Sequence, residues 1–270
     1  MSLFCRKFRK KTRDARFISY TCSGATLLEN AIIELGIRLK FEEELGNEKQ
    51  ENQKINFFKF SRKIDESFDE YIKTDNLIPS QFGLPSLVDR EKFVFRNDLE
   101  VFFTHNPKFF SDAEKTFILV RDPRDTLLSQ FRINNEKNAD QFFKFCQNHI
   151  DSWVDFYAKA LSHKNFYLIK FEDLKLSPVV SLKNLMLFLG LEYENEKLSE
   201  AINNSSFEKT KKMEDRMIGE YPEVAKNYFP NRITKSGKCY QYKLEENSDL
   251  REAFLLVQNK AADIIDKIGY

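Results

Sequence analysis

The sequence predicts an α/β fold, a central and mostly parallel sheet covered by helices on both faces. Short apolar segments recur along the chain and are followed by stretches of helical periodicity, the pattern of parallel strands joined by crossover helices. At two places, after Arg16–Tyr20 and after Thr116–Val120, the segment passes through a tight polar turn straight into a helix. Composition agrees, since 41% apolar residues and 27 Phe in 270 residues supply a sizeable core and exclude wholesale disorder and fibrous repeats. One domain over residues 1–270 is expected, with residues 1–15 as a solvated basic tail.

Arg16–Tyr20 is short, apolar and aromatic, and reads as a strand. In Thr26–Leu35, the residues Leu27, Leu28, Ala31, Ile32 and Leu35 share one helical face, and Gly36 can end the helix. The chain is then highly charged from Arg38 to Asn76, with a helix expected around Ile64–Ile72. Pro79, Gly83 and Pro85 mark Leu77–Asp89 as a loop. Phe93–Phe95, Val101–His105 and Thr116–Val120 are extended candidates, and Pro123 can open a helix capped by Asp122. A long helix is expected at about Ala139–Leu161, with Phe142, Phe145, Cys146, Ile150, Trp153 and Tyr157 on its buried side. Phe166–Phe171 follows as a strand, and Val179–Leu189 as a helix closed by Gly190. The remainder reads as a short helix near Leu198–Asn204, a polar stretch to about Glu246, and a terminal helix near Asp249–Ile268.

The 43 Lys and Arg nearly cancel the 42 Asp and Glu, for a formal charge of +1, so a nucleic-acid partner is not expected and any anion site must be local. Cys5, Cys22, Cys146 and Cys239 are too scattered for a disulfide-stapled domain, which points to a reducing compartment. Six basic residues crowd Met1–Arg13 without an apolar run of signal-peptide length behind them. No stretch approaches the ~18 apolar residues that span a bilayer. A cytoplasmic protein without a membrane partner is the expectation. Cys146 and His149 share a helical face, but burial in the core accounts for them better than zinc, and no metal is expected. His149 and His163 read as structural hydrogen-bonding residues. Oligomeric state leaves no trace in the sequence.

Ligands of parallel sheets bind at the carboxyl ends of strands, so the polar residues just after each strand carry the functional signal. Ser23-Gly24-Ala25-Thr26 forms a small turn whose backbone N–H groups can face one anion, aided by the helix dipole and the hydroxyls of Ser23 and Thr26. It lacks the G-x-x-x-x-G-K-[ST] of a Walker A loop. Arg121 at a strand tip and Ser129 two turns into the next helix can bracket one phosphate, the guanidinium binding bidentately. Arg124 with Asp125 reads as a surface ion pair.

These residues resemble the PAPS-dependent sulfotransferases. Tyr20 through Leu28 is similar to the family's 5′-phosphosulfate loop, Y-P-K-S-G-T-T-W-L. Val120-Arg121-Asp122-Pro123-Arg124-Asp125, with Ser129 and Phe131, resembles its 3′-phosphate motif, R-[DN]-P-[RK]-D-x-x-x-S-x-[FY]. Phe103-Thr104-His105 looks like K-T-H, Phe171-Glu172-Asp173-Leu174 with Pro178 like Y-E-D-L…P, Ser205-Ser206-Phe207 like T-S-F, and Arg232 through Tyr240 like R-K-G-x-x-G-x-W. The resemblance runs in the expected order from about Arg16 to Lys243.

It implies a three-layer, P-loop-NTPase-like sandwich and transfer of a sulfuryl group from PAPS to a hydroxyl of a small-molecule or carbohydrate acceptor. His105 would be the catalytic base. The loop Cys22, Ser23, Gly24, Ala25, Thr26 and Leu27 would hold the 5′-phosphate, chiefly through the backbone amides of Ser23 to Leu27. Arg121, Ser129 and Arg232, in an element that includes Gly237, would hold the 3′-phosphate, while Phe171 and the Ser205–Phe207 element would contact adenine. The product is 3′-phosphoadenosine 5′-phosphate (PAP). Ile55–Asp89 and Lys209–Pro230 are expected to shape the acceptor pocket.

This chain departs from the pattern at several places. Cys22 stands where the family has the loop lysine that stabilises charge on the bridging oxygen. Ala25, Leu27, Phe103, Phe171, Ile233 and Cys239 likewise replace polar or aromatic family residues. Losing one preorganised donor typically costs about 10²–10³ in rate, unless Lys108, Lys235 or Lys238 reaches in. Cys22, at a helix N-terminus, is expected to have a lowered pKa, and its thiolate would repel a phosphate. A PAP- or PAPS-binding protein with weak or no turnover is therefore the alternative. An ATP-dependent P-loop phosphotransferase is disfavoured, for want of a loop lysine and a magnesium carboxylate.

Overall fold

The computed structural model describes residues 13–41, 95–110, 113–133, 139–220, 238–244 and 248–270. Strand β1 (Arg13–Ser19) is the centre of the sheet. It is flanked by β3 (Leu99–Thr104) and β4 (Lys115–Val120), with β2 (Arg38–Phe41) and β5 (Phe166–Lys170) outside them, in the order β2-β3-β1-β4-β5. All four ladders are parallel, with Ile18 opposite Thr104, Ser19 opposite Leu119, and Val120 opposite Lys170. The carboxyl ends of β3, β1 and β4 therefore lie side by side.

Strand pleating sends alternate residues to opposite faces. Ala15, Phe17, Val101, Phe103, Phe117 and Leu119 form one core with α1 (Ala25–Glu34), α4 (Phe171–Leu176), α5 (Pro178–Phe188) and α6 (Asn195–Asn204). Phe17 stacks on Phe117 at 4.8 Å and lies 4.6 Å from Phe103. On the other face Ile18, Ile118 and Val120 meet α2 (Pro123–Ile133) and α3 (Ala139–Ala160), together with α9 (Ser248–Lys260) and α10 (Ala262–Ile268). Phe142, Cys146, Ile150, Trp153, Tyr157 and Ala160 recur at three- and four-residue intervals on α3, so one stripe is buried over about five turns. Three layers result, as the sequence predicts. Among the described residues no helix is long and apolar enough to cross a membrane.

Local signals explain most boundaries. Gly36 and Gly190 adopt left-handed φ of +74°, and the following amides of Ile37 and Leu191 return to Ile32 and Met186, closing α1 and α5. The α5 terminus also receives Lys115 Nζ on the Phe188 carbonyl and an Arg13 guanidinium on that of Leu189 at 3.2 Å. Asp122 caps α2 through Oδ1, which accepts the Arg124 amide at 2.9 Å, with Pro123 in the first helical position.

Some expectations are corrected. β1 starts at Arg13 rather than Arg16, because pairing with β3 extends to Arg13–Leu99, so the last residues of the anticipated tail belong to the sheet. β2 emerges within the segment read as merely charged. In the stretch read as polar, α7 (Phe207–Glu220) forms from good helix formers behind Ser206, whose hydroxyl accepts the Lys209 amide. A four-residue turn of helix, α8 (Gln241–Leu244), follows later. The terminal helix is two, divided at Ala261. Phe95 is not in a strand. Phe93 and the helix anticipated at 64–72 lie outside the described residues.

Candidate active site

The connection after β1 runs left in the sheet, to β2, while that after β3 crosses β1 to reach β4. Such a reversal opens a crevice at the strands' carboxyl ends. Three sequence-predicted elements meet there: the Thr21–Thr26 loop after β1, His105 after β3, and Arg121 after β4.

The loop is held residue by residue. Thr21 Oγ accepts from the Gln130 side chain at 2.5 Å. Arg121 donates through one terminal nitrogen to the Cys22 carbonyl at 3.1 Å. Ser129 hydrogen-bonds the Cys22 thiol. Cys22 and Gly24 have φ of +63° and +87°. At Gly24 a Cβ would stand 2.2 Å from Phe171 Cε2, so glycine is required both for the backbone and for the ring beside it. Within the loop the Ser23 amide donates to Tyr20 and the Leu27 amide to Gly24, each at 3.3 Å. That narrows the anticipated cradle, because those two donors are engaged. Among the described residues no hydrogen bond uses the amides of Gly24, Ala25 and Thr26, which open α1 without a side-chain cap.

Two hydroxyl and thiol expectations change. The Ser23 hydroxyl is fully buried and bonds the Tyr157 phenol at 3.1 Å, so it serves the loop's own anchoring. Cys22 does not have a lowered pKa. Burial pushes its thiol up to about 11, outweighing Arg121 and Ser129, and it is neutral near pH 7.

Arg121 is 5% exposed. Its second terminal nitrogen donates to the Lys238 carbonyl at 2.9 Å, and Asp125, one helical turn on, stands 3.7 Å away. The guanidinium carbon lies 4.8 Å from the centre of the Phe171 ring. Its Nε is buried without a hydrogen-bond partner, the state of a donor that an anionic ligand would satisfy. Arg124 pairs with Asp122 at 2.6 Å rather than with Asp125, and also reaches Tyr242 and Gln258. Asp125 is instead fully buried, accepting the Tyr242 amide at 3.0 Å.

His105 Nδ1 lies 2.5 Å from the Ser19 carbonyl, and its ring meets Phe103 edge-on at 4.7 Å. A carbonyl only accepts, so Nδ1 carries the proton and, in the neutral ring, the lone pair is on Nε2. Burial lowers the histidine pKa, opposed by the Ser19 bond. Phe171 is buried against Gly24, while Ser205 is buried and bonded to the Ala201 carbonyl at 2.7 Å, ending α6 just before half-buried Phe207. Arg232, Gly237 and Lys235 lie outside the described residues. Lys238 is exposed, and its carbonyl brings the end of that segment to Arg121.

Sequence reasoning missed the braces beneath these groups. Glu172 accepts the Asp122 amide at 3.4 Å and bonds the Tyr270 hydroxyl, which also reaches the Val120 carbonyl at 3.3 Å. Neither Glu172 nor Tyr270 leaves a local signal, whereas Asp125 lies one helical turn from Arg121. Among the described residues no group of His, Cys, Asp and Glu is arranged to hold a metal ion. Cys146 is buried in the α3 core and His149 exposed on it.

Comparison with known proteins gives this arrangement a relationship. The profile of the family described as "Sulfotransferase domain" matches residues 13–246. Sulfotransferase 2A1 of Homo sapiens is 27% identical over 209 residues, 69% of this chain and 70% of that protein. Sulfotransferase 2A1 of Macaca fascicularis is 33% identical over 116 residues, 38% of this chain and 41% of the relative. Mouse sulfotransferase SULT7A1 complexed with PAP superposes with a TM-score of 0.60 at 19% identity, over 95% of this chain and 88% of that one. Retinol dehydratase in a complex with retinol and PAP gives 0.57 at 16% identity, over 94% and 83%. At such identities the solved structures speak for the fold, while the family profile covers most of the chain. The chain belongs to the sulfotransferase domain family.

Proposed function

We propose that this protein transfers a sulfuryl group from PAPS to a hydroxyl of a small-molecule or carbohydrate acceptor, with His105 as general base. The observation that carries the reading is the meeting of an αL-glycine loop, a buried arginine with an unpartnered Nε, and a histidine of defined tautomer at one crevice. PAPS, when bound, supplies the sulfuryl group and a 3′-phosphate. The amides of Gly24, Ala25 and Thr26 hold the 5′ side. Arg121, Ser129 and Arg232 hold the 3′-phosphate, and Phe171 and Phe207 adjoin the adenine.

Ser19 fixes the His105 ring, and its Nε2 takes the acceptor hydroxyl's proton. Burial keeps the imidazole neutral and therefore basic at pH 7. The PAP complexes of the structural neighbours support the donor, and retinol in one of them supports a small-molecule acceptor. Free Cys22, Cys146 and Cys239 are consistent with a cytoplasmic setting.

Calorimetric titration with PAP, AMP and ATP without magnesium tests the donor site. Micromolar binding of PAP with much weaker AMP and ATP is expected. Equal affinity for PAP and AMP would refute the reading.

One observation favours a second reading, a PAP- or PAPS-binding protein of weak turnover: the neutral Cys22 thiol stands at the lysine position. Cys22→Lys separates the two. A gain in turnover of about 10² or more means that a missing donor limits the native protein. Unchanged, measurable turnover means that another cation already does that work.

A further inference from the structure

The two phosphate-binding elements belong to different strands. They are joined directly by the Arg121 bond to the Cys22 carbonyl, and beneath the crevice by the Tyr157 phenol on α3, which is fully buried. Its oxygen lies 2.8 Å from the Leu119 carbonyl, two residues before Arg121. It lies 3.3 Å from the Tyr20 amide, where β1 becomes the loop, and 3.1 Å from the Ser23 hydroxyl within the loop. The proton assignment follows from chemistry. A carbonyl can only accept, so Tyr157 spends its single proton on Leu119. Both remaining bonds must then be accepted by the phenol oxygen, from the Tyr20 N–H and from the Ser23 O–H. Every hydrogen-bonding position of that oxygen is used, two by the β1–loop element through Tyr20 and Ser23 and one by the strand that carries Arg121 through Leu119. Trp153, 4.7 Å away between ring centres, and Phe156 pack the phenyl ring, so the oxygen's position is set by the core.

We propose that Tyr157 is a positioning residue that sets the spacing between the 5′-phosphate loop and Arg121, and so determines how much affinity the donor's 3′-phosphate adds. This rests on the donor-site reading above. A ligand with both phosphates must engage loop and Arg121 together, whereas one with only the 5′-phosphate needs the loop alone. Releasing the brace therefore penalises the two-phosphate ligand more. A merely structural tyrosine would lower stability and leave the ratio of the two affinities in the folded protein unchanged.

The test is calorimetry of the full chain and its Tyr157→Phe variant with PAP and with AMP, at a temperature where circular dichroism shows both folded. The ratio of AMP to PAP dissociation constants should fall about tenfold or more in the variant, a loss the size of one or two net hydrogen bonds. An unchanged ratio overturns the proposal, whether both affinities stay put or fall together. No preference for PAP in the unaltered protein would instead overturn the donor site itself.

Ser23→Ala gives a second reading should Tyr157→Phe not fold. It cuts only the loop's bond to the phenol and should lower the ratio of AMP to PAP dissociation constants severalfold; a ratio within twofold of the unaltered protein's would overturn the brace. In the double variant, loss no greater than that of Tyr157→Phe alone is expected, since both act through one bond. Additive losses would mean that Ser23 contacts the phosphate directly, contrary to the assignment.

Discussion

Replacing Glu29 by Gln should stabilise the protein, and by an amount that grows with pH. Glu29 lies on α1, one turn beyond the loop, only 2% exposed, and its Oε2 has no hydrogen-bond partner. Burial raises its pKa to about 8. In the unfolded chain a glutamate titrates near 4.3, so between those values the native state holds a proton that the unfolded state has released. Stability from this group is complete below about pH 4.3 and falls as pH rises towards 8. At 1.36 kcal/mol per pH unit, the loss is roughly 3.6 kcal/mol at pH 7 and about 5 kcal/mol above pH 8. Glutamine has nearly the shape of the protonated acid and cannot ionise. Urea denaturation of both proteins at pH 5, 7 and 9 should show a gap of only about 1 kcal/mol at pH 5 that widens above it. The gain at pH 7 corresponds to roughly 7–14 °C in melting temperature for a chain of this size. A difference independent of pH, or a variant less stable at pH 9, would refute the reasoning.

Three further outcomes follow from the site. Gly24→Ala should cost about 2–4 kcal/mol and abolish measurable PAP binding, because φ is +87° and the new Cβ would collide with Phe171; a melting temperature within about 2 °C of the parent would contradict the packing. With the His105 pKa lowered by burial, kcat/KM should stay flat from pH 8 down to at least the ordinary histidine value of about 6.5 before declining. His105→Ala should lower kcat by about 10²–10⁴ with PAP affinity kept, and an acid limb centred above pH 7 would mean that His105 is not the base.

Which parts of this fold could be read in advance follows from how far apart the cooperating residues lie. Gly36 and Gly190 ended their helices, and Asp122 capped α2, because each signal acts within a few residues. The same holds for the loop and for Arg121, whose residue types lie together in sequence at their strand ends. β2 was hidden because its Arg38-Leu39-Lys40-Phe41 stretch is too short and charged to show a strand's pattern, and only pairing with β3 makes it one. α7 was hidden because its charged surface resembles loop composition. The Tyr157–Ser23 bond spans 134 residues and the Glu172–Tyr270 bond 98, and neither leaves a local pattern. Even Arg124 was paired wrongly from sequence. Adjacent Asp125 looked like its partner, but the turn into α2 points Asp125 at Arg121 and leaves Asp122 to Arg124.

That exchange of partners bears on how the site meets negative charge without a loop lysine. Arg121 faces Asp125 at 3.7 Å and Arg124 faces Asp122 at 2.6 Å, so each guanidinium at the strand tip is offset by a buried carboxylate. Adding a neutral thiol at Cys22 leaves little net positive charge in the described part of the crevice. Two offset ion pairs hold geometry rather than potential, because the field of a pair decays faster with distance than that of a lone charge. On the proposed donor site, binding of a doubly phosphorylated ligand would then depend on directed donors, namely the amides of Gly24, Ala25 and Thr26 and the Arg121 Nε, whose strength is set by placement. A site of that kind tolerates loss of a lysine better than it tolerates a shift of its strands, and this is why the residues that fix β1 against β4 matter as much to it as the residues that would touch the ligand.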